Sequence, residues 1–192
     1  MASKQEKAKK VWSTLYLDEQ MPQGVSAHVA QDSTLTVKGP KGEVSKLLRY
    51  PKVNIKVEGQ KIIVGTEKLT QNEKKIIFTY LAHIRNLIKG VTEGFQYRLV
   101  VVYAKFPISV ELKGQVFTVK NLLGEKVPRN CTFSKDVKVE IKAKEIFVSG
   151  IDKEKVGQVA ASIEQLTRIT HLDRRVIQDG IFITNKPHRA YI

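Results

Sequence analysis

The feature that most constrains this fold is an internal repeat. Four short matches occur in the same order along the two halves of the chain: Thr36–Lys38 with Thr118–Lys120, Lys56–Glu58 with Lys138–Glu140, Ile62–Gly65 with Ile146–Gly150, and Ile84–Leu87 with Ile163–Leu166. The first two pairs share an offset of 82 residues, and the later pairs depart from it by a few residues. Ordered matches at nearly one offset indicate tandem copies of one structural unit. The sequence therefore predicts two copies of a small fold.

Each copy begins with short segments in which apolar and polar residues alternate. In the first copy the alternating apolar residues are Leu35 and Val37, then Val53, Ile55 and Val57, then Ile62 and Val64. In the second copy we expect strands at Phe95–Tyr103, Ile108–Leu112, Gln115–Lys120, Val137–Ile141 and Glu145–Val148, and one more at Ile181–Thr184. A period of two is typical of half-buried strands. Gly59 predicts a hairpin turn in the first copy, because glycine tolerates a positive φ.

One helix is predicted after the strands of each copy. The first spans about Asn72–Lys89, with Asn72 as its N-cap, Gly90 as its C-terminal stop and an apolar stripe at helical spacing. The second spans about Asp152–Arg168. A sheet with one polar face needs its other face covered, which one helix per copy can do. The predicted fold class is therefore α+β, with two tandem copies of a small, mostly antiparallel sheet packed with one helix. The predicted domains are residues 1–90 and 91–192, joined near Lys89–Gly94.

The net charge points to a polyanionic partner. The chain has 33 Lys and Arg against 19 Asp and Glu, a formal charge of +14. Because such a surplus opposes compaction, nucleic acid is the first candidate partner and an anionic membrane surface the second. No apolar run approaches the ~20 residues of a membrane-spanning helix. The apolar stretch Val11–Leu17 after the basic Lys4–Lys10 is a poor signal peptide, so we expect a cytosolic protein.

The sequence lacks the residue patterns of a catalytic or metal site. Gly39–Gly42 does not have the spacing of a phosphate-binding loop and predicts a tight turn between two strands. Cys131, the single cysteine, is expected to be a buried or half-buried thiol on a strand edge. The four histidines lie far apart along the chain and lack metal-ligand spacing. We therefore expect no catalytic residues, no metal and no cofactor, and a protein that is not an enzyme.

Basic residues form the predicted RNA-binding surface. The candidates are Lys38 and Lys41 in the first copy, Lys120, Lys126, Arg129 and Asn130 near a polar loop of the second copy, and Arg168, His171, Arg174, Arg175, Lys186, His188 and Arg189 from the second helix to the C-terminus. Acidic residues are sparse beside them, so this positive charge is poorly offset. Such a surface suits the phosphates, sugars and shape of duplex RNA, whose narrow major groove excludes side chains. An RNA-processing enzyme and a module for an acidic protein or membrane are the alternatives.

Several motifs along the chain resemble one protein family. They are Pro22–Val25, Val37–Gly42, Val91–Phe95, Tyr103–Ile108, Asn121–Lys126 and Asp179–Ile183. These motifs are similar to the eukaryotic form of the universal large-subunit ribosomal protein, numbered six in bacteria and nine in eukaryotes. The similarity covers nearly the whole chain. Where the bacterial form ends in a glycine- and lysine-rich stretch, this chain has His171–Arg175, which supports a eukaryotic-type member.

The resemblance implies a structural role in the large ribosomal subunit. It implies two tandem copies of a sheet-plus-helix fold and binding to large-subunit ribosomal RNA near the factor-binding side, close to the sarcin–ricin loop. It places much of the RNA contact in the second domain, which favours Lys120, Lys126, Arg129 and the Arg168–Arg175 segment. Neighbouring ribosomal proteins are further expected partners. The expected location is the cytoplasmic ribosome, with assembly in the nucleolus for a eukaryotic chain.

Overall fold

The chain forms two compact units that divide between Thr92 and Glu93. The structure is a computed structural model that describes residues 12–170, 172–187 and 189–190, without the side chains of residues 12–14, 68, 69, 189 and 190. The predicted sites at His171 and His188 lie outside the described residues.

The described part of the first unit has six strands in two antiparallel sheets. The strands are β1 (Trp12–Gln20), β2 (Ser26–Val29), β3 (Thr34–Gly39), β4 (Gly42–Leu47), β5 (Asn54–Glu58) and β6 (Lys61–Leu69). One sheet has the order β1-β6-β5 and the other the order β2-β3-β4. β1 was not predicted, because its outward side chains Tyr16, Asp18 and Gln20 are exposed and its pairing partner lies far along the chain.

Helix α1 (Gln71–Thr92) packs against strands of both sheets of the first unit. Its apolar stripe is buried as the helical spacing predicts, with Ile77, Leu81, Ile84 and Leu87 in the core. These side chains form one face because residues three and four apart lie above one another on a helix.

Both predicted ends of α1 are wrong. Thr70, rather than Asn72, precedes the helix, and its backbone N–H donates to Glu73 Oε2 at 3.2 Å while its hydroxyl donates to the same carboxylate. This arrangement resembles a capping box, in which the residue before the helix and the third helical residue satisfy each other. Gly90 is buried within the helix, which continues to Thr92 and is followed by Gly94 with a φ of 78°.

The second unit repeats the topology of the first. Its described elements are β7 (Phe95–Val102), β8 (Ser109–Lys113), β9 (Val116–Lys120), β10 (Arg129–Thr132), β11 (Val137–Lys142), β12 (Glu145–Gly150), α2 (Lys153–Leu166), β13 (Gly180–Lys186) and β14 (Arg189–Ala190). The antiparallel sheets have the orders β10-β9-β8 and β11-β12-β7-β13-β14. The orders β11-β12-β7 and β10-β9-β8 correspond to β5-β6-β1 and β4-β3-β2. The prediction of an α+β fold in two tandem copies is confirmed.

Helix α2 covers the core of the second unit. Asp152 precedes it as the predicted start, and its side chain accepts the backbone N–H of Glu154 at 2.9 Å. The helix ends at Leu166, two residues before the predicted end. Its inner face packs with residues from both sheets in one buried cluster, which includes Leu99, Phe117, Ile146, Val156, Ala160, Ile163 and Ile181.

Candidate nucleic-acid interface

The outer face of the β8–β10 sheet carries two of the predicted RNA-binding residues. Asn130 pairs across the strands with Thr118, and Lys120 follows two residues later on the same face. Lys120 Nζ donates to Glu111 Oε1 at 2.6 Å, and this hydrogen bond is the main reason that the pKa of Glu111 lies below its ordinary value. Lys113 Nζ lies 3.8 Å from Glu111 Oε2. The Glu111 carboxylate therefore lies between the Lys113 and Lys120 ammonium groups, and the net charge of these three groups is positive.

Arg129 lies next to Asn130 in β10, but its side chain points to the opposite face. Successive side chains of a strand alternate between faces, so Arg129 shares its face with the half-buried Cys131. The guanidinium makes two hydrogen bonds to the Glu125 carboxylate, from Nε at 2.9 Å and from Nη2 at 2.5 Å. Nη1 donates to the carbonyl oxygens of Leu166 at 2.9 Å and Arg168 at 3.3 Å. Each guanidinium nitrogen thus has a partner within the protein.

The loop at residues 121–128, which joins β9 to β10, is held at its base and exposed at its tip. Asn121, Leu123 and Gly124 have positive φ angles of 61°, 51° and 82°. Asn121 Nδ2 donates to the Pro107 carbonyl oxygen at 3.0 Å. In contrast, Lys126 is exposed, and 76% of Val127 is accessible to solvent. Positive φ angles are uncommon outside glycine and persist where the surroundings fix them.

The segment after α2 presents three of the predicted arginines. Arg168 is exposed directly after the helix. The Arg174 guanidinium lies 5.9 Å from the centre of the Phe182 ring, within the range of a cation–π contact. Arg175 Nε lies 3.4 Å from Asp173 Oδ1, and 92% of the Arg175 side chain is accessible to solvent. A pair this exposed contributes little to stability, so the Arg175 guanidinium is available to a phosphate.

The contacts of Arg129 bring the chain at Lys126 and the chain at Arg168 together, whereas the Lys120 side chain lies on the opposite face of the sheet. Arg129 lies opposite Val119, the neighbour of Lys120, and its side chain contacts Glu125 beside Lys126 and the backbone of Arg168. Lys186 is exposed at the end of β13, and Arg189 lies in β14.

The remaining two candidates, Lys38 and Lys41, lie in the first unit and are both exposed. Gly39 pairs with Gly42, so Lys41 is at the tip of the predicted tight turn. The backbone N–H of Lys41 donates to the Val91 carbonyl at 3.0 Å, and a Cβ on Gly39 would lie 2.7 Å from Val91 Cγ2. Glycine therefore permits this turn to pack on the end of α1.

Further basic residues lie close to aromatic rings at one end of the second unit and were not predicted. Lys144 Nζ is 4.7 Å from the centre of the Tyr103 ring, and Lys105 Nζ is 5.6 Å from that of Phe106. The backbone N–H of Val101 donates to the Lys144 carbonyl at 2.8 Å, which brings the β11–β12 turn to the end of β7. The sequence contains both runs, Lys142-Ala143-Lys144 and Tyr103-Ala104-Lys105-Phe106. That they lie next to each other is seen in the structure.

The described residues contain no group of three or more His, Cys, Asp and Glu that could hold a metal ion. Cys131 is half-buried in β10, an edge strand of its sheet, as the sequence predicts. Burial raises the pKa of its thiol, which disfavours the reactive thiolate. In the part of the chain that the structure describes, no helix is long and apolar enough to cross a membrane.

Comparison with known proteins identifies a family. The family described as ribosomal protein L6 matches residues 21–94 and again residues 106–180. The chain is 43% identical over 167 residues to the large ribosomal subunit protein uL6 of Methanosarcina mazei, covering 87% of this chain and 94% of that protein. It is 44% identical over 166 residues to uL6 of Methanothrix thermoacetophila, covering 86% and 94%. It is 43% identical over 172 residues to uL6 of Haloarcula marismortui, covering 89% and 96%.

These three relatives are archaeal and give no support to the eukaryotic-type assignment. The two family matches correspond to the two copies found in the sequence and described in the fold. Because the family matches both halves and the relatives are at least 43% identical over most of both chains, this chain belongs to the ribosomal protein L6 family.

Proposed function

We propose that this chain is a structural constituent of the large ribosomal subunit that binds its ribosomal RNA through basic residues of the second unit. Family membership and the relatives, which are proteins of the large ribosomal subunit, support the first part of this proposal. The observation that carries the second part is the region around Arg129, whose contacts bring the chain at the exposed residues Lys126 and Arg168 together.

The chemistry of this region suits the backbone of folded RNA. Lysine meets a phosphate as a point charge, and arginine meets it with a planar fork of donors. Arg175 is almost fully exposed and can reach a phosphate without loss of a strong protein contact. Exposed Asn130 and Thr132 on β10 add neutral groups that can bond to ribose hydroxyls. RNA bound in this way is recognised by shape and charge.

The proposal extends to the surroundings of the protein. The sequence resemblance supports a place near the factor-binding side of the subunit, close to the sarcin–ricin loop, with neighbouring ribosomal proteins as further partners. There the protein would support subunit assembly and translation on cytoplasmic ribosomes. Assembly in the nucleolus applies only to a eukaryotic chain.

Sedimentation tests the ribosomal part of the proposal. A lysate of cells that contain the protein is separated on sucrose gradients at low and high salt, and the protein is detected across the fractions. We expect cofractionation with large subunits and whole ribosomes that persists until stringent salt, because many phosphate contacts hold the protein. A protein that stays in the soluble fractions at every salt concentration contradicts the proposal.

Salt-dependent RNA binding tests the surface. The probe is large-subunit ribosomal RNA of Methanosarcina mazei, transcribed in vitro and bound to the full chain. Replacement of Lys126, Arg168 and Arg175 with alanine should reduce the slope of log K against log salt by about 0.7–0.9 for each lost phosphate contact. The control replaces the exposed lysines Lys56, Lys74 and Lys75 of the first unit, with the same change in charge. An equal loss of slope in both variants argues against a surface in the second unit.

A further inference from the structure

We infer that the 121–128 loop is a preformed element that contacts the minor groove of duplex RNA, and that Arg129 is a positioning residue for it rather than a phosphate ligand. The inference rests on the proposed RNA-binding function and adds to it the contact element, the class of RNA surface and the role of Arg129.

Contacts at the start of the loop fix its backbone. The hydrogen bond from Asn121 Nδ2 to the Pro107 carbonyl ties the loop to the segment between β7 and β8. The Phe106 ring lies beside Gly124, 3.9 Å from where a Cβ would be. Leu122 is buried in the core of the second unit. Leu123 is the residue of this loop that rarely adopts a positive φ, and these contacts hold its neighbours Leu122 and Gly124 on either side.

Arg129 fixes the other end of the loop. Two parallel hydrogen bonds to Glu125 form the fork geometry that gives an arginine–carboxylate pair its directionality. The bonds from Nη1 to the Leu166 and Arg168 carbonyls place the cation at the C-terminus of α2, where backbone carbonyls lack helical partners. A single side chain therefore ties the loop to the start of the arginine-bearing segment after α2.

The part of the loop between these two supports is exposed and has the chemistry of an RNA contact. Lys126, Val127 and Pro128 are all exposed. Glu125 is the only acidic residue of the loop, and its carboxylate is held by Arg129. The wide, shallow minor groove of duplex RNA presents ribose faces beside phosphates. Val127 and Pro128 would pack on ribose while the Lys126 ammonium meets a phosphate.

The connection in the first unit that corresponds to the 121–128 loop is much shorter, which supports a special role for this loop. The corresponding strands β3 and β4 are joined at Pro40–Lys41 by a tight turn without such a loop. The longer connection is therefore an addition to the second copy and is not required by the repeated fold.

A Glu125→Gln variant distinguishes the two roles of Arg129 by the sign of its effect. If Arg129 bound phosphate, removal of a competing carboxylate would strengthen RNA binding. If Arg129 positions the loop, the variant should bind RNA about tenfold more weakly in spite of its added positive charge, because the loop must then be ordered upon binding. The probe is the same Methanosarcina mazei large-subunit RNA.

Asp136→Asn is the matched control for this variant. It makes the same change in charge within the second unit by breaking the pair between Asp136 and Lys155, whose Oδ2 and Nζ atoms are 2.5 Å apart. Lys155 is at the start of α2, about 16 Å along the helix axis from the carbonyls that Arg129 contacts. The control should bind RNA as tightly as the wild type or slightly more tightly.

An Arg129→Lys variant gives a second, independent readout. It retains the charge but cannot form the forked pair, so we expect affinity to fall to about the Glu125→Gln level while the salt slope stays at the wild-type value. Unchanged affinity in Arg129→Lys, or tighter binding in Glu125→Gln, overturns the positioning role.

The contact at the loop tip needs its own variant. Val127→Ser should weaken binding relative to Leu47→Ser, an exposed apolar residue of the first unit. Equal affinities of these two variants overturn the groove contact. If the wild-type chain itself does not bind this RNA, the proposed function fails, which is distinct from failure of this inference.

Discussion

The two units share one framework and differ in what is attached to it. In both units, the first, sixth and fifth strands lie side by side in that order in one antiparallel sheet, and the second, third and fourth strands form another sheet. A helix follows the sixth strand. The second unit adds β13 and β14 beside β7, a longer loop between β9 and β10, and the segment from α2 to β13. In the described part of the first unit, β1 is the edge of its sheet at the position corresponding to β7.

This difference separates the residues that build the fold from most of those proposed to bind RNA. The repeated strands and helices contribute the buried apolar residues of each unit. Lys126, Arg168, Arg174 and Arg175 all lie in segments of the second unit that have no counterpart in the described part of the first unit. The duplicated framework thus provides stability in both units, whereas the additions provide most of the candidate interface in one. Lys120 of β9 and Asn130 of β10 extend that interface onto the framework.

The added strand β13 is also held in the second unit by specific hydrogen bonds. The backbone N–H of Ile181 donates to Thr167 Oγ1 at 2.9 Å, and that of Ile183 donates to Glu164 Oε1 at 3.1 Å. Both acceptors belong to the end of α2 or the residue after it. Strand amides left open at a sheet edge can pair with other chains, and these two are satisfied by α2 instead.

An Ile181→Ala variant tests whether β13 is required to hold β7 in the second unit. Ile181 is fully buried in the core, and its truncation should lower the free energy of unfolding by about 2–5 kcal/mol. Hydrogen exchange resolved by peptide should show lost protection in β7 and unchanged protection in β1. The control Val176→Ala, at a residue 81% exposed, should stay within about 0.5 kcal/mol of the wild type. If the protection of β7 is unchanged, β7 does not depend on β13 and is equivalent to the edge strand β1.

A Thr167→Val variant tests one of the hydrogen bonds that hold β13 in the second unit. Thr167 is 4% exposed, and valine keeps its shape while removing the acceptor for the Ile181 N–H. A buried donor without a partner costs about 1–3 kcal/mol, so urea unfolding should show a loss of that size. Thr184→Val is the matched control, since its hydroxyl donates to the Arg98 carbonyl in an exposed position. Equal effects from both variants would contradict a special role for the Thr167 hydroxyl.

Local patterns in the sequence predicted most of the framework. Alternation located β3, β5, β6 and most strands of the second unit, and helical spacing located the buried faces of α1 and α2. β1, β2 and β4 were not predicted, because their pairing depends on distant segments and half of their side chains are exposed. The family match confirms the resemblance and identifies a ribosomal protein, not an enzyme.

The candidate interface was less predictable from the sequence than the framework. The sequence locates positive charge, but it does not show which face of a strand each side chain occupies. Lys120 and Arg129 appear equivalent in the sequence, yet one is on the outer face of its sheet and the other is bonded to Glu125 and to the end of α2. The spacing of Glu125 and Arg129 gave a weak signal of that pair. The carbonyl partners of Arg129 depend on the packing of α2 and were not predictable.

The two units also differ in the carboxylate at the N-terminus of their helices. The pH dependence of the free energy of unfolding tests this difference, which has the smallest expected effect. α1 begins with the buried Glu73 carboxylate, whereas α2 begins with the half-buried cap Asp152. The hydrogen bond from the Thr70 hydroxyl is the main reason that the pKa of Glu73 is lowered from 4.5. A carboxyl whose pKa is lowered by folding stabilises the folded state above its unfolded pKa, and this contribution disappears as the pH falls through the folded pKa.

Glu73→Gln should therefore unfold more readily than the wild type at pH 7, with a difference that shrinks as the pH falls below about 4.5 and approaches zero once both states are protonated. Asp152→Asn is the control, because asparagine caps a helix about as well as aspartate, and it should cost little at either pH. Urea unfolding at a series of pH values measures both. If the Glu73→Gln difference persists unchanged at low pH, the variant acts through packing rather than charge. The two helix starts would then differ in shape and not in electrostatics.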